Sequence, residues 1–304
     1  MRLRRAGRAS RGPINADVRR HPIVCESFTR ETFQTVIPED VRAEILTRLK
    51  KAETEHGVRI LFAIESGSRA WGFASPNSDY DVRFIYMREP GWYQAVDLEE
   101  RRDVIEYPIV DDIDLNGWDV RKALRLFWKS NPAFVEWIQS PIIYTEVSAF
   151  RTQSLRALPQ IYAPDKGVYH YRSMAKTNYR GYLREPMVRL KKYFYVLRPL
   201  LAARWVESSG GAPPIEFDKL LTLLSDQEPV LNAIHVLLAQ KRSTPELGMA
   251  PAVPVLNEFI EAALSKEIRE APRKSRSPRV VDLLNDIFHR TLCEYEATGS
   301  PLQS

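Results

Sequence analysis

Cysteine is scarce in this chain of 304 residues, which has only Cys25 and Cys293, near opposite ends. Two cysteines so far apart exclude a disulfide-stapled scaffold and the paired-cysteine spacing of zinc sites. The five histidines show no clustered ligand spacing, so no histidine-based metal centre is predicted. No apolar run approaches the roughly 20 residues that a membrane-spanning helix needs. The reducing cytoplasm is therefore the expected compartment, and no membrane partner is expected.

Excess positive charge is missing from most of the chain, although the formal net charge is +5. The first twenty residues hold seven arginines and one acid, and the remainder holds 37 basic and 38 acidic residues. The basic character is thus local, and it does not predict a nucleic-acid-binding body. We interpret residues 1–20 as a disordered arginine-rich tail. An RNA-binding arm, an organellar targeting peptide and a start-site extension are the alternatives.

Two aspartates one residue apart, Asp79 and Asp81, are the most informative feature that is present. They run into Val82–Tyr86, a segment rich in strand-forming residues. Residues i and i+2 of a strand share a face, so the two carboxylates are predicted to lie side by side. Oxygen ligands on one face suit Mg²⁺, which borrows further oxygens from the phosphates of a substrate. Strand-edge aspartates that merely solvate an edge are the alternative.

A glycine–serine turn, Gly67-Ser68, precedes Asp79 by ten intervening residues and follows an apolar segment, residues 58–64. The segment predicts a buried strand, and the turn is predicted to open a helix whose backbone N–H groups face phosphates. A phosphate cradle and a metal-binding carboxylate pair are the two parts that phosphoryl transfer needs.

These residues resemble the signature of the nucleotidyltransferase superfamily of the DNA polymerase β type. The longer text resembles one branch of it, the YcgL group and the related RNA-ligase-associated (RlaP-like) nucleotidyltransferases, over roughly Arg19 to Tyr295. The segments that carry this resemblance are Glu65–Phe73, Ser75–Arg83, Asp114–Lys122, Lys129–Pro132 and Leu190–Pro199. The resemblance implies transfer of a nucleoside monophosphate from an NTP by two divalent metals and three carboxylates.

A third carboxylate is implied by the resemblance and should come from a later strand. Asp114 is favoured because Ile113-Asp114-Leu115 has the form of such a strand. Asp119 is the alternative. Five positions separate the two aspartates, so a regular strand points them to opposite faces. Asp119 also precedes a segment of helical periodicity, where Asp is a preferred N-cap.

Several basic residues are predicted to contact the nucleotide besides the turn. Arg69 could hold a phosphate with two hydrogen bonds or be a surface arginine, with equal weight. Lys191, Lys192 and Arg198 lie in one helical segment, and Lys191 and Arg198 share a face of it. The alternative is a solvated basic face. The predicted nucleotide-binding set is Gly67, Ser68, Arg69, Lys191, Lys192 and Arg198.

The predicted fold class is α+β. A small mixed-sheet catalytic domain, residues 21–145, is followed by an all-helical domain, residues 146–304. Strand signals vanish after about Phe150, and proline-marked joints separate the later helices. Helices are predicted at 38–56, 119–130, 166–184, 187–207, 227–241, 253–269 and 278–297.

The predicted function is metal-dependent nucleotidyl transfer from an NTP to a hydroxyl acceptor on a small molecule or a protein. Asp79, Asp81 and Asp114 would bind Mg²⁺ or Mn²⁺. One alternative is an RNA-end-modifying repair enzyme, which would make RNA a partner. Another is a catalytically silent nucleotide-binding module. The sequence leaves the acceptor, the preferred NTP and the oligomeric state open.

Overall fold

A computed structural model describes residues 37–243, 248–266 and 278–297. All of these residues lie within one compact unit. The predicted tail, residues 1–20, lies outside the described residues.

A five-stranded mixed sheet forms the centre of the N-terminal half. Its strands stand in the order β3-β4-β2-β1-β5, and the β2–β4 pair is parallel while the other neighbours are antiparallel. The strands are β1 (Arg59–Glu65), β2 (Tyr80–Met87), β3 (Val104–Glu106), β4 (Ile113–Asp119) and β5 (Ile143–Glu146).

Helices cover both faces of this sheet. They are α1 (Glu39–His56), α2 (Gly67–Ala70), α3 (Val120–Trp128), α4 (Pro132–Gln139) and α5 (Phe150–Ile161). The first helix ends as predicted at Gly57, which adopts the left-handed conformation with φ 58°. Glycine tolerates this conformation without the clash that a Cβ atom would cause.

Alternation along the strands assigns residues to the two faces. Val82 and Phe84 of β2 pack on the side of α1, together with Ile45. Ile85 and Met87 pack on the opposite side, with residues of α3, α4 and α5. Odd-numbered positions of β2 therefore face the side of the sheet that bears the later helices.

The C-terminal half is mainly helical. It comprises α6 (Pro164–Tyr182), α7 (Lys192–Ser209), α8 (Phe217–Leu221), α9 (Glu228–Ser243), α10 (Pro254–Ser265) and α11 (Pro278–Ala297). The helices α6 to α10 share a hydrophobic core with Phe73, a residue that follows α2. The last helix packs instead on α3 and α5.

The predicted α+β class is confirmed: a mixed sheet is followed by a mainly helical half. The half predicted to be all helical also holds a two-stranded antiparallel ribbon, β6 (Met187–Arg189) with β7 (Met249–Pro251). Strands of three residues are too short to show a period of two in the sequence. The division into two domains at residue 145 stays a prediction.

Within the described ranges, no helix combines the length and the apolarity needed to cross a membrane.

Gly117 tests how tightly the sheet is packed. A Cβ atom on Gly117 would lie 2.1 Å from the ring of Phe84, its partner on β2, whereas one on Gly181 of α6 would meet nothing within 4 Å. Gly117→Ala should therefore lower the free energy of unfolding by about 1–3 kcal/mol. Gly181→Ala, the control, should raise it by about 0.5–1 kcal/mol. Denaturant unfolding of both variants measures the difference, and equal effects would contradict the packing.

Candidate active site

The glycine–serine turn lies directly after β1, as predicted. Gly67 begins the short helix α2 with φ 59°, and the strand ends two residues earlier at Glu65. A Cβ atom on Gly67 would lie 1.9 Å from Oδ2 of Asp81. Glycine is required here both for the backbone conformation and for the close approach of the carboxylate. The turn and Asp81 are thus built against each other.

Asp81 and Asp114 are direct neighbours across the parallel β2–β4 pair. Both side chains lie on the face of the sheet that bears the later helices, and both are partly exposed, at 30% and 26%. Burial raises the pKa of Asp81 above its usual range, Arg83 opposes this rise, and the charges of Asp114 and Asp79 add to it. The third carboxylate favoured by the sequence is therefore opposite Asp81 in space.

Arg83 bridges the two carboxylates. Its Nη2 donates to Asp81 Oδ1 at 3.0 Å and to Asp114 Oδ2 at 2.6 Å. Its Nη1 donates to the backbone oxygens of Val82 and Asp114, at 3.0 and 2.8 Å. A guanidinium shared in this way offsets the repulsion between two like charges.

Asp79 lies just outside the strand. The strand β2 begins at Tyr80, so the expectation that both aspartates occupy one strand is right for Asp81 only. Asp79 is exposed and is not part of the hydrogen-bonded pairing between β2 and β4, which begins at Tyr80. The loop before it is held instead by Arg69, whose Nε and Nη2 donate to the carbonyls of Asp79 and Ser78 at 3.2 and 2.5 Å.

The donor set suits a hard divalent cation only in part. Two carboxylates stand together beside a cradle that a Cβ atom would fill, and oxygen is the ligand such cations prefer. Among the described side chains, however, no three His, Cys, Asp or Glu groups converge closely enough to hold a metal ion. The Asp81–Asp114 pair fits a divalent cation. For a third carboxylate ligand, the side chain of Asp79 would have to move toward this pair.

Glu65 is a buried carboxyl behind the pair. Its Oε1 accepts from the Asp81 amide at 3.0 Å, and its Oε2 accepts from the Tyr144 hydroxyl at 2.7 Å. Burial raises the pKa of Glu65 to about 7, while the hydrogen bonds from Tyr144 and Asp81 act in the opposite direction. Glu65 thus fixes the backbone of Asp81 from beneath.

Asp119, the alternative third carboxylate, caps helix α3. Its Oδ1 accepts from the amide of Arg121 and its Oδ2 from the hydroxyl of Tyr93, both at 2.8 Å. The side chain is buried, and burial raises its pKa. Its odd position in β4 lies on the face opposite to Asp114, as the spacing predicted.

Two of the basic residues predicted to contact the nucleotide, Arg69 and Lys192, pack against different aromatic rings. Arg69 is buried against the Asp79 loop, with its guanidinium 4.0 Å from the centre of the Tyr80 ring. Lys192, at the start of α7, places its ammonium 4.0 Å from the ring of Tyr182 and 5.0 Å from that of Tyr195. The geometry thus gives Arg69 a structural use and leaves its phosphate role a prediction.

Lys241 of α9 is a basic residue that the sequence reasoning missed. It is 8% exposed, packs against the ring of Phe73, and has no ion-pair partner among the residues that the structure describes. Burial lowers its pKa to about 8, and the charges of Lys191 and Arg69 add to the effect. Three cations are therefore gathered beside the turn. No local pattern indicates this, because Lys241 follows Ser68 by more than 170 residues.

A cavity of about 330 Å³ opens next to the turn. Ser66 and Tyr195 both line it, and burial together with the charges of Asp81 and Asp79 raises the pKa of Tyr195. The cavity therefore lies close to the carboxylates. Its aromatic walls are Trp71, Trp137, Phe194 and Tyr195.

Arg198 lies at this cavity in a buried ion pair with Glu136, at 2.9 Å. Glu136 also accepts from Trp71 Nε1 at 3.3 Å and from the Tyr171 hydroxyl at 3.2 Å. The guanidinium of Arg198 lies 4.4 Å from the centre of the Trp71 ring. The two charges neutralise each other, so a nucleotide contact by Arg198 stays a prediction.

Arg83 and Glu65 were missed although the sequence carried a signal for Arg83. It stands two residues after Asp81, which places it on the same face of a strand. Glu65 ends an apolar strand and gives no sign that its carboxyl turns inward.

Known proteins share this sequence pattern. The model of the RNA repair pathway DNA polymerase beta family, RlaP, matches residues 41–290. The uncharacterized protein YcgL of Bacillus subtilis (strain 168) is 42% identical over 261 residues, which are 85% of this chain and 99% of that protein.

A solved structure, that of a nucleotidyltransferase-like protein from Exiguobacterium sibiricum 255-15, is 13% identical. The match covers 86% of this chain and 81% of that one with a TM-score of 0.29. The fold assignment rests on the arrangement of strands and helices in the chain itself.

Gly67 and Gly57 have the same backbone conformation, but only Gly67 lies against Asp81. Substitution of each glycine therefore distinguishes the cost of backbone strain from the effect of displacing the Asp81 carboxylate. Gly67 and Gly57 have φ 59° and 58°, but a Cβ atom on Gly57 would meet nothing within 4 Å. Alanine at either position should cost about 1–2 kcal/mol of stability from the left-handed backbone. Only Gly67→Ala should also disable the site, because it displaces the Asp81 carboxylate. Activity per folded molecule and melting temperature test this, and an active Gly67→Ala variant would contradict the geometry.

Proposed function

Because the chain belongs to the RNA repair pathway DNA polymerase beta family, a nucleotidyltransferase-type family, we propose that it transfers a nucleoside monophosphate from an NTP to a hydroxyl group. The observation that carries this proposal is the register of β2 and β4. It puts Asp81 opposite Asp114, directly against the turn that begins at Gly67.

Asp81 and Asp114, joined by Asp79, would hold Mg²⁺ or Mn²⁺. Such a cation, when bound, supplies charge neutralisation on the phosphates and lowers the pKa of the attacking hydroxyl. The hydroxyl oxygen forms a bond to the α-phosphorus, the bond from that phosphorus to its bridging oxygen breaks, and pyrophosphate leaves. The hydroxyl proton passes to solvent. The work of the chain is mainly to position these groups.

The triphosphate is proposed to lie along the turn. The first backbone N–H groups of α2 have no helical acceptor, and Ser68 supplies a hydroxyl in the same turn. Lys241 and Lys191 add positive charge on the same side, and Lys241 is buried without an ion-pair partner among the described residues. Phosphate oxygens would supply the missing negative charge.

The nucleoside is proposed to occupy the neighbouring cavity. A volume of about 330 Å³ lies at the lower end of the range of roughly 300–1,000 Å³ for small-molecule sites. Tyr195 and Trp71 meet edge to face, with ring centres 6.0 Å apart. Such walls favour a flat aromatic group, since stacking on them does not depend on base identity.

The acceptor has two candidates. A small molecule or protein hydroxyl agrees with the nearly neutral charge of residues 21–304. An RNA end agrees with the printed description of the family, an RNA repair pathway. Incubation with each α-labelled NTP and either total RNA or protein lysate, followed by nuclease or protease, distinguishes them by which treatment releases the label.

The assignment of the third carboxylate is testable by transfer of α-labelled NMP. Asp81→Asn and Asp114→Asn should each cut the single-turnover rate by orders of magnitude, because the charge that holds the cation is lost. Asp119→Asn should keep the rate, since asparagine also caps a helix. Asp119→Ala should cost about 0.5–2 kcal/mol of stability and keep turnover per folded molecule. Loss of turnover in Asp119→Asn with retention in Asp114→Asn would reverse the assignment.

Lys241→Met tests the phosphate side of the site. The folded pKa of Lys241, about 8, is below the ordinary value of 10.5, so the buried ammonium costs stability below pH 8. Lys241→Met should thus be more stable at pH 7, by on the order of 1–3 kcal/mol. Between pH 8 and 10.5 the folded wild type loses this proton first, so the advantage should shrink as pH rises.

Tripolyphosphate supplies the second arm of the same test. It should raise the melting temperature of the wild type at pH 7 and have much less effect on Lys241→Met. Lys219→Met, which removes an exposed lysine paired with Glu216, is the control. An equal response of all three proteins would place the phosphates elsewhere.

A further inference from the structure

Arg83 is a charged group at the centre of the site that the proposed reaction does not use. Its side chain is 16% exposed and makes four hydrogen bonds. Two of these, through Nη1, go to main-chain carbonyls of β2 and β4, and these anchor the guanidinium to the sheet. The other two, through Nη2, reach one oxygen of each carboxylate. The arginine is therefore anchored on the inner β2–β4 pair of the sheet and is not a mobile surface group.

Arg83 contacts only one of the two oxygens of each carboxylate. It engages Oδ1 of Asp81 and Oδ2 of Asp114. The other oxygen of Asp81, Oδ2, points toward Gly67, the first residue of the turn. One oxygen of each carboxylate is thus held from the side of the strands, and the second one remains for a ligand.

We propose that Arg83 is a positioning residue that holds Asp81 and Asp114 together as a ready-made oxygen pair for a divalent cation. Without it, two like charges on adjacent strands would turn away from each other toward water. The planar guanidinium suits this task better than an ammonium, because its fork reaches two carboxylates and two carbonyls at fixed angles. The part of this inference that concerns a cation rests on the proposed function. The pairing of the two carboxylates by Arg83 is independent of that function.

A cation-free double-mutant cycle tests the pairing. The melting temperatures of the wild type, Asp81→Asn, Arg83→Gln and the double variant are measured in EDTA. Asp81→Asn should raise the melting temperature more in the Arg83→Gln background than in the wild type, since the repulsion of Asp114 is then no longer offset. Equal changes in both backgrounds would overturn the inference, because Arg83 would then not hold the pair.

A Mn²⁺ titration of the same proteins tests the positioning. Half-saturation, read from the rise in melting temperature, should require about 10–100-fold more Mn²⁺ in Arg83→Gln, as for other residues that orient metal ligands. Arg83→Lys keeps the charge but not the fork, and it should also bind more weakly than the wild type. Tighter binding in Arg83→Gln would overturn the inference and make Arg83 a competitor of the cation.

A matched control is available in Arg48, which pairs with Glu44 and Asp111 and stands on α1, the helix that packs on the other face of the sheet. Arg48→Gln should leave both the Mn²⁺ response and the effect of Asp81→Asn unchanged. If wild-type protein shows no Mn²⁺ response, the proposed cation-dependent function fails together with the cation part of this inference. The cycle in EDTA would still decide whether Arg83 pairs the two carboxylates, so the two failures are distinguishable.

Discussion

Two like charges held opposite each other on neighbouring parallel strands are the constraint on which the candidate site depends. The β2–β4 register puts Asp81 beside Asp114, and proteins retain such an arrangement only when something offsets the repulsion. Arg83 provides this from within the sheet, and Glu65 fixes the Asp81 backbone from beneath. The turn at Gly67 then closes on the same carboxylate, so that strand, turn and charge pair form one unit.

The helical half is tied to this unit by a buried ion pair. Glu136 of α4 accepts hydrogen bonds from Arg198 of α7, Tyr171 of α6 and Trp71 after the turn. Removal of either charge would leave the other buried and unpaired, which is strongly destabilising. Glu136, Arg198 and Trp71 also line the cavity beside the carboxylates. The position of the helices therefore sets both the shape of the cavity and its distance from the turn.

Local patterns predicted the parts of the site that depend on local geometry. The apolar strand before Gly67 and the helix end at Gly57 follow from hydrophobicity and from the conformational freedom of glycine. The opposite faces of Asp114 and Asp119 follow from the period of a strand, and the cap at α3 from the hydrogen bonds that a helix start requires. The extension of the strand back to Asp79 was wrong, because the backbone of Asp79 is held by Arg69 and not by a neighbouring strand.

By itself, the amino-acid sequence determined the α+β class, the glycine–serine turn after β1 and the opposite faces of Asp114 and Asp119. These follow from periodicity and from residue types that act over a few positions. Only the tertiary structure decided that Arg83 is shared between Asp81 and Asp114, that Arg198 is neutralised by Glu136, and that Lys241 comes to lie beside the turn. Each of these depends on which strands and helices pack together, and pairing between distant segments is not a property of any local stretch of sequence.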